Sequence, residues 1–423
     1  MANGVVLGLD IGTSRIKFVE ARITRRGPLI TNAGIGLTPQ DAIANGVIVA
    51  PDVLGAAVRQ ILSEHGVRTK TVVSSVASQS SLVVRPIEVP RMTRQELAST
   101  MQWEVDRHIP FAATEVVMDF QPLVAPEQLP PEAQNMEVLL AVAQQDMIEA
   151  HVQTLFQAGL DPNVLDVEPL SACRSLIDIN RDQGAYEQTH ALLNIGATTT
   201  DLSVFRTGGL LTFTRPIPLA GNNITTAIAD ALGYEFHEAE QAKLNEGTIY
   251  VEGAPAIEAS RTVTPAPREE PIVERAPSQE EEEQPFAEQE RVFDLGAETP
   301  PPQRPTPSLP IVHKPGAGSP GRQVYDAMLP SLVELVTEIR RSLEYYANRY
   351  PDSRVDKILV FGGTARMPNF PEFLANEAGV PVELGNPFRS LALDESAVPP
   401  EIAQENACFM PIAVGLAIRD MIE

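Results

Sequence analysis

Three β-rich runs open the chain, Val5 to Asp10, Ile16 to Arg22 and Leu29 to Leu37, and their spacing predicts neighbouring strands. The period then changes: Asp52 to His65 carries Val53, Ala56, Ala57, Gln60 and Ile61 at i, i+3, i+4 spacing, which predicts an amphipathic helix. Thr71 to Ser78 and Leu82 to Val89 return to the β pattern. Thr93-Arg-Gln-Glu96 has the form of a capping box and opens a helix to about Arg107. Val138 to Ala143 reads as another strand, and Ile148 to Ala158 and Pro169 to Ile179 as helices, the second with proline where a missing N–H costs nothing. Midway the opening pattern returns: strand Ala191 to Ile195, a glycine turn, strand Thr200 to Arg206, a Gly208-Gly209 hairpin turn and strand Leu211 to Pro216. Further on, the helix Val324 to Arg349 presents Met328, Leu332, Leu335, Val336, Ile339, Leu343 and Tyr346 as a core-facing stripe, Lys357 to Phe361 is a strand, and Cys408 to Ile418 reads as a buried helix. Alternating strands and helices with an internal repeat place the chain in the α/β class.

Composition narrows the setting. At 423 residues, 43% hydrophobic and 21% charged, the chain is long enough for two or more cores. A net charge of −24 without a basic stripe argues against nucleic acid. Cys173 and Cys408 are too far apart in sequence to suggest a disulfide framework or a thiolate metal site, which fits a reducing, cytoplasmic setting. No basic leader precedes Val5, Asp10 interrupts the first apolar run at once, and no run approaches the ~20 apolar residues of a membrane span. Residues 250–322 break the globular pattern, with Glu280-Glu281-Glu282-Glu283 and Pro300-Pro301-Pro302. Such a segment buries too little apolar surface to offset ordering costs of about 1–2 kcal/mol per residue, so it is expected to be a disordered insertion. It is either a plain solvated loop or the carrier of a short recognition segment at Pro310-Ile-Val-His313.

The candidate chemistry sits in two turns, Asp10-Ile-Gly12-Thr13-Ser14 and Asn194-Ile-Gly196-Ala197-Thr198-Thr199. Glycine between a strand end and a hydroxyl-rich turn lets backbone N–H groups approach phosphate oxygens, and a carboxylate there can hold a hydrated Mg²⁺. Asn194 stands where the pattern of Asp10 would put a second acid. It accepts a hydrogen bond but cannot act as a base near neutral pH. The six histidines are scattered, and His237 beside Glu235 and Glu238 reads as a surface residue.

A duplicated strand-turn-strand unit, a third glycine turn at Phe361-Gly362-Gly363-Thr364-Ala365, and small-residue helices at Val167 to Ala172 and Ala407 to Arg419 together resemble the actin-like ATPase superfamily. Within it, Arg85 to Met92, Trp103 to Phe111, Glu115 to Asp119, Gly221 to Thr225, Glu238 to Lys243 and Glu338 to Tyr346 are similar to the PilM family of type IV pilus assembly proteins, relatives of FtsA. The resemblance covers nearly all of the chain outside the Pro-rich insertion. It implies an actin-like fold of duplicated RNase H-like domains: subdomain 1A at 1–80 and 165–190, an FtsA-type subdomain 1C at 81–164, 2A at 191–235 and 355–423, and 2B at 236–249 and 323–354.

The same resemblance implies ATP and Mg²⁺ as ligands. Asp10 would hold Mg²⁺ through water; Gly12, Thr13, Ser14 and Lys17 would take phosphates from one side, and Asn194, Gly196, Ala197, Thr198 and Thr199 from the other. Glu168 and Asp201 would stand near the γ-phosphate as candidate catalytic acids. Glu240, Lys243, Gly362, Gly363 and Arg366 would border the adenosine. Plainer readings stay open: an exposed strand lysine at 17, a helix-start and a hairpin acid at 168 and 201, a surface ion pair at 240 and 243, and an ordinary strand-to-helix turn at 362–363. With Asn194 in place of an acid, hydrolysis is expected to be slow or absent. The implied partner is the cytoplasmic N-terminal peptide of a PilN-like inner-membrane protein, received in a groove between 1A and 1C that involves the Leu82 to Val89 strand and the Thr93 to Arg107 helix. Other pilus assembly proteins and self-association are also implied, with a peripheral inner-membrane location through partners. Two alternatives remain: an FtsA-like division protein, whose basic C-terminal anchor helix is expected to be missing because the chain stops at Glu423, and a small-molecule kinase, for which no substrate-domain segment is found.

Overall fold

The computed structural model describes residues 4–44, 46–77, 81–108, 115–250 and 319–422. The expected insertion, with its candidate segment at 310–313, lies almost wholly outside them. Its described ends belong to the fold: Tyr250 packs edge-on against Tyr325 at 4.8 Å between ring centroids, and the following helix already begins at Pro320.

The first lobe opens with β1 (Val5–Ile11), β2 (Arg15–Thr24) and β3 (Gly27–Leu37), neighbouring strands as their spacing predicts, paired as an antiparallel meander. A small hairpin follows, β4 (Ile43–Ala44) with β5 (Val47–Ile48), then α1 (Pro51–Glu64) and β6 (Thr71–Val76), which returns parallel to β1. The buried face of α1 is Leu54, Gly55, Val58, Ile61 and Leu62. Val53, assigned to that face from spacing, points outward and is 48% exposed. The better stripe lies one residue further along, because Gly55 lets α1 sit directly on the backbone at Thr154 and Ala158.

After β6 an inserted module folds as a three-stranded antiparallel sheet in the order β7 (Leu82–Pro90), β9 (Asn135–Gln144), β8 (Val116–Pro122), backed by α2 (Arg94–His108). The capping box forms: Thr93 N–H donates to Glu96 Oε2 at 2.8 Å and Glu96 N–H to Thr93 Oγ1 at 3.4 Å. The chain then re-enters the first lobe through α3 (Gln145–Gln157) and β10 (Asp161–Val167), which pairs with β6, and enters α4 (Glu168–Leu176). Thus α3 and β10, counted with the inserted subdomain on sequence, join the first lobe. β10 is a sheet edge, where Asp161, Pro162 and Asn163 mask its strand character.

The second lobe repeats the plan: β11 (His190–Ile195), β12 (Thr200–Arg206) and β13 (Leu210–Ile217) form the antiparallel meander. Helices α5 (Gly221–Leu232), α6 (Phe236–Glu246) and α7 (Pro320–Arg349) follow, then β14 (Lys357–Phe361) parallel to β11, α8 (Phe370–Ala378) and β15 (Val382–Leu384). Strand order is β13-β12-β11-β14-β15 here and β3-β2-β1-β6-β10 in the first lobe, so the duplication read from the sequence is a duplication of topology. All seven stripe residues of α7 are buried in one core with α5, α8 and the sheet. The chain then crosses back to the first sheet through β16 (Ala392–Leu393) and ends in α9 (Pro411–Ala417).

α4 and α9 cross between the lobes. A Cβ on Gly415 would run into the Ser171 carbonyl, and one on Gly8 into the backbone of Ala413 and Ala417, so strand, α9 and α4 approach backbone to backbone. Ser175 Oγ donates to the Pro411 carbonyl at 2.7 Å and Arg174 to that of Gly415 at 3.3 Å. The inserted module also touches the second lobe, where Arg206 on β12 pairs with Glu137 on β9 at 2.9 Å.

Candidate functional site

A cavity of about 280 Å³ opens between the lobes, walled on one side by the turn after β1 and on the other by the turns after β11 and β14 together with α6. Asp10, Gly12, Thr13, Ser14, Lys17, Glu168, Asn194, Gly196, Ala197, Thr198, Thr199, Asp201, Glu240, Lys243, Gly362 and Gly363 all line it. Residues spread over the whole chain are thus brought to one place. Arg366 is not: it is exposed, donates to Asn406 Oδ1 at 2.6 Å and lies 5.4 Å from the centre of the Phe409 ring.

The floor of the cleft is acidic. Asp10 is 1% exposed and pairs with Lys17, directly opposite it on β2, at 2.8 Å. Lys17 is therefore a recessed ion-pair partner and not an exposed strand lysine. The corresponding pair in the second lobe is Asn194 opposite Asp201 on β12. The amide occupies the place of the first acid, and an acid the place of the lysine, so each lobe contributes one carboxylate from this ladder position. Asn194 Nδ2 donates to Glu168 Oε2 at 3.3 Å. Burial, with Asp10 and Asp201 nearby, pushes the Glu168 carboxyl well above the ordinary carboxylate range. Burial also raises Asp201 to about 7 against a Thr199 hydrogen bond, and raises Asp10 against Lys17. Asp201 Oδ1 is buried without a hydrogen-bond partner. Three carboxyl groups held with one lysine between them are short of positive charge, and this donor set suits a divalent cation. Among the described residues no three acids, histidines or cysteines come close enough to ligate one directly, so a cation here would be held largely through water.

The turns are built differently from the expectation in one respect. Gly12 N–H donates to the Arg15 carbonyl and Gly196 N–H to that of Thr199, both at 3.0 Å, closing each turn on itself. The N–H groups of Gly12 and Gly196 are thus engaged within their own turns, while Thr13, Ser14, Ala197, Thr198 and Thr199 line the cavity. Gly362 has φ of +94°, and a Cβ there would lie 2.5 Å from the Ile195 carbonyl oxygen. Its N–H donates to the Cys408 carbonyl at 2.8 Å, so this glycine serves the packing of β14 against the second turn. Gly221 is also required, since its Cβ would lie 2.7 Å from Thr364 Oγ1.

Glu240 and Lys243 pair at 2.6 Å on the inner face of α6. Lys243 Nζ also donates to the Thr225 hydroxyl at 2.7 Å and the Gly221 carbonyl at 3.0 Å, and the Thr225 hydroxyl in turn lies 2.5 Å from Glu240. The pair is thus part of a partly buried network tying α6 to α5, and not an isolated surface contact. Burial lowers the Lys243 pKa and Glu240 opposes that.

Sequence reasoning missed several cavity residues: Arg15, Ser75, His151, Phe236 and Phe409. Ser75 Oγ is buried without a partner. His151 is buried, its pKa lowered to about 4 by desolvation, and its Nε2 meets Ser74 Oγ at 2.9 Å while that hydroxyl donates to the Leu9 carbonyl at 2.8 Å. The imidazole is therefore neutral and the donor to Ser74.

A family model for type IV pilus assembly protein PilM matches residues 8–249. The chain belongs to the PilM family. A second model, for cell division protein FtsA, matches residues 191–406. A chain of a solved PilM-PilN type IV pilus biogenesis complex superposes with a TM-score of 0.75 at 25% identity, covering 99% of both chains. The ethanolamine utilization protein EutJ from Carboxydothermus hydrogenoformans, 14% identical with a TM-score of 0.50 over 99% of this chain and 90% of its own, shares the fold alone. FtsA from Escherichia coli K12 is 23% identical over 261 residues, and FtsA from Pseudomonas aeruginosa is 26% identical over 263. The match spans 57% of this chain and 60% of the length of either of these curated relatives. The fold is the actin-like ATPase fold, as the duplicated turns and the two crossing helices imply. Among the described residues no helix is long and apolar enough to cross a membrane.

Proposed function

We propose that this chain is an ATP-binding scaffold of type IV pilus assembly, held at the inner membrane by the N-terminal peptide of a PilN-like protein. The observation that carries the nucleotide half is the convergence of both duplicated turns, the acidic floor and the Glu240–Lys243 network on one interlobe cavity. The partner half rests on likeness over the whole chain to a protein solved in complex with PilN. ATP would lie with its phosphates between Thr13–Ser14 and Ala197–Thr198, facing Lys17, and its adenosine toward Glu240 and Lys243. Mg²⁺ would be held through water by Asp10, with Asp201 within the same acidic floor, and would neutralise phosphate charge. Because the ligand bridges two lobes, its binding favours the closed arrangement.

Hydrolysis is slow on this reading. Burial and the neighbouring carboxylates of Asp10 and Asp201 shift Glu168 toward its protonated form, which weakens it as a base, and Asn194 cannot take a proton, which leaves Asp201 as the one acid in the ladder pair able to act as a base. Steady-state turnover at about 1 s⁻¹ or faster, at the low end of ordinary enzymes, contradicts this. Calorimetric titration of a PilN-like N-terminal peptide with and without ATP and Mg²⁺ tests the scaffold reading. Saturable binding in at least one state supports it, and none in either overturns the pilus assignment.

A further inference from the structure

Three cations line the cavity: Arg15, Lys17 and Lys243. Two are neutralised, Lys17 by Asp10 at 2.8 Å and Lys243 by Glu240 at 2.6 Å. Among the described residues Arg15 has no carboxylate partner. It begins β2, directly beyond the Thr13-Ser14 turn of the first lobe; its guanidinium lies 5.4 Å from the centre of the Phe409 ring, in the segment that leads into α9, and within electrostatic reach of Glu240 and Arg366 of the second lobe. Arg366 lies at the same distance from the same ring. Two guanidinium groups thus share one aromatic side chain, and Phe409 packs against Gly363 at the third glycine turn, with 3.1 Å between its ring and a Cβ on that glycine. Burial and the Arg366 charge both lower the Arg15 pKa, while Glu240 acts the other way.

An arginine half-buried in a cavity, without a counter-ion and next to a second arginine, is electrostatically incomplete. The planar N–H fork of a guanidinium matches the oxygens of a phosphate, and an aromatic neighbour such as Phe409 does not compete for those donors as a carboxylate would. Arg15, the first turn and the Gly362–Gly363 turn line the same cavity, with Phe409 between the guanidinium and Gly363 as the shared contact. We infer that Arg15 is a phosphate-positioning residue of the nucleotide site, reaching from the first lobe to hold the ligand's phosphate chain against the second. This rests on the proposed nucleotide reading of the cleft. It adds a contact that the glycine-turn pattern does not contain, and it links the ligand, through Phe409, to the entrance of α9.

The test is calorimetric titration of the full chain, as wild type, Arg15→Gln and Arg15→Lys, with ATP, ADP and adenosine in the presence of Mg²⁺ at low and high salt. Arg15→Gln is expected to weaken ATP and ADP by about tenfold or more, the scale of one charge-assisted hydrogen bond, and to leave adenosine within about twofold. It is also expected to flatten the salt dependence of ATP binding, which a purely structural role would not do. Arg15→Lys keeps the charge but loses the fork, and is expected to recover part of the affinity. If Arg15→Gln melts early, Arg15→Lys carries the test through its own loss for ATP relative to adenosine. ATP binding by Arg15→Gln as tight as wild type overturns the inference and leaves the cleft reading intact. Loss of adenosine in step with ATP overturns it as well, by assigning the guanidinium to the base. If wild type binds none of the three, the cleft reading falls and the inference with it.

Discussion

Replacing Asn194 with aspartate restores a second acid at the start of the second turn with almost no change of shape, and its cost follows from the site. The amide bond to Glu168 Oε2 at 3.3 Å is lost, worth about 0.5–1.5 kcal/mol. The new carboxyl joins Glu168, Asp10 and Asp201. If it is held near 7, as Asp201 opposite it is, its folded pKa lies about three units above an unfolded aspartate's. An acid whose folded pKa is raised loses stability as pH rises from its unfolded value to its folded value. At about 1.4 kcal/mol per unit, the added cost is roughly 4 kcal/mol at pH 8 and about 1.5 at pH 5. Asn194→Asp is therefore expected to be destabilised about 2–3 kcal/mol more at pH 8 than at pH 5, as read by urea denaturation, and Mg²⁺ with ATP is expected to narrow that gap. An equal loss at both pH values, untouched by Mg²⁺ and ATP, refutes the acidic-floor argument.

Other expectations follow from the same geometry. Asp201→Asn removes a carboxyl raised to about 7, so the free variant should lose less stability than wild type as pH rises from 4 to 7 in melting experiments, and should bind ATP with Mg²⁺ more weakly. Gly415→Ala drives a methyl into the Ser171 carbonyl at the α4–α9 crossing, where neither backbone can retreat; a loss of at least about 3 kcal/mol or failure to fold is expected in expression and melting assays. Glu137→Gln breaks the pair with Arg206, but both side chains are about a third exposed, at 29% and 37%, so denaturation should register no more than about 1 kcal/mol.

The hairpins and their repeat were legible because glycine turns punctuate short β-rich apolar runs in the same order twice, and the α7 stripe because seven apolar residues hold helical spacing over most of its length. The α1 face slipped by one position because Gly55, a core contact without a side chain, is invisible to a hydrophobic count. β10 was hidden by polar residues that an edge strand tolerates. In the site, every expected residue except Arg366 reached the cavity. Arg366 is drawn instead to Asn406 and Phe409, neighbours that no local pattern relates to it. His151 and Arg15 were missed for the same reason. One becomes a cavity residue only when α3 packs under β6, and the direction of the other is set by a ring near the opposite end of the chain.

The most direct test of the central claim is titration of the wild-type chain with ATP and Mg²⁺ beside Gly362→Ala, whose left-handed φ and contact with Ile195 forbid a side chain at the second turn. The account predicts one saturable ATP site per chain in wild type and none in the variant. No heat of binding from wild type, or equal binding by both, contradicts it.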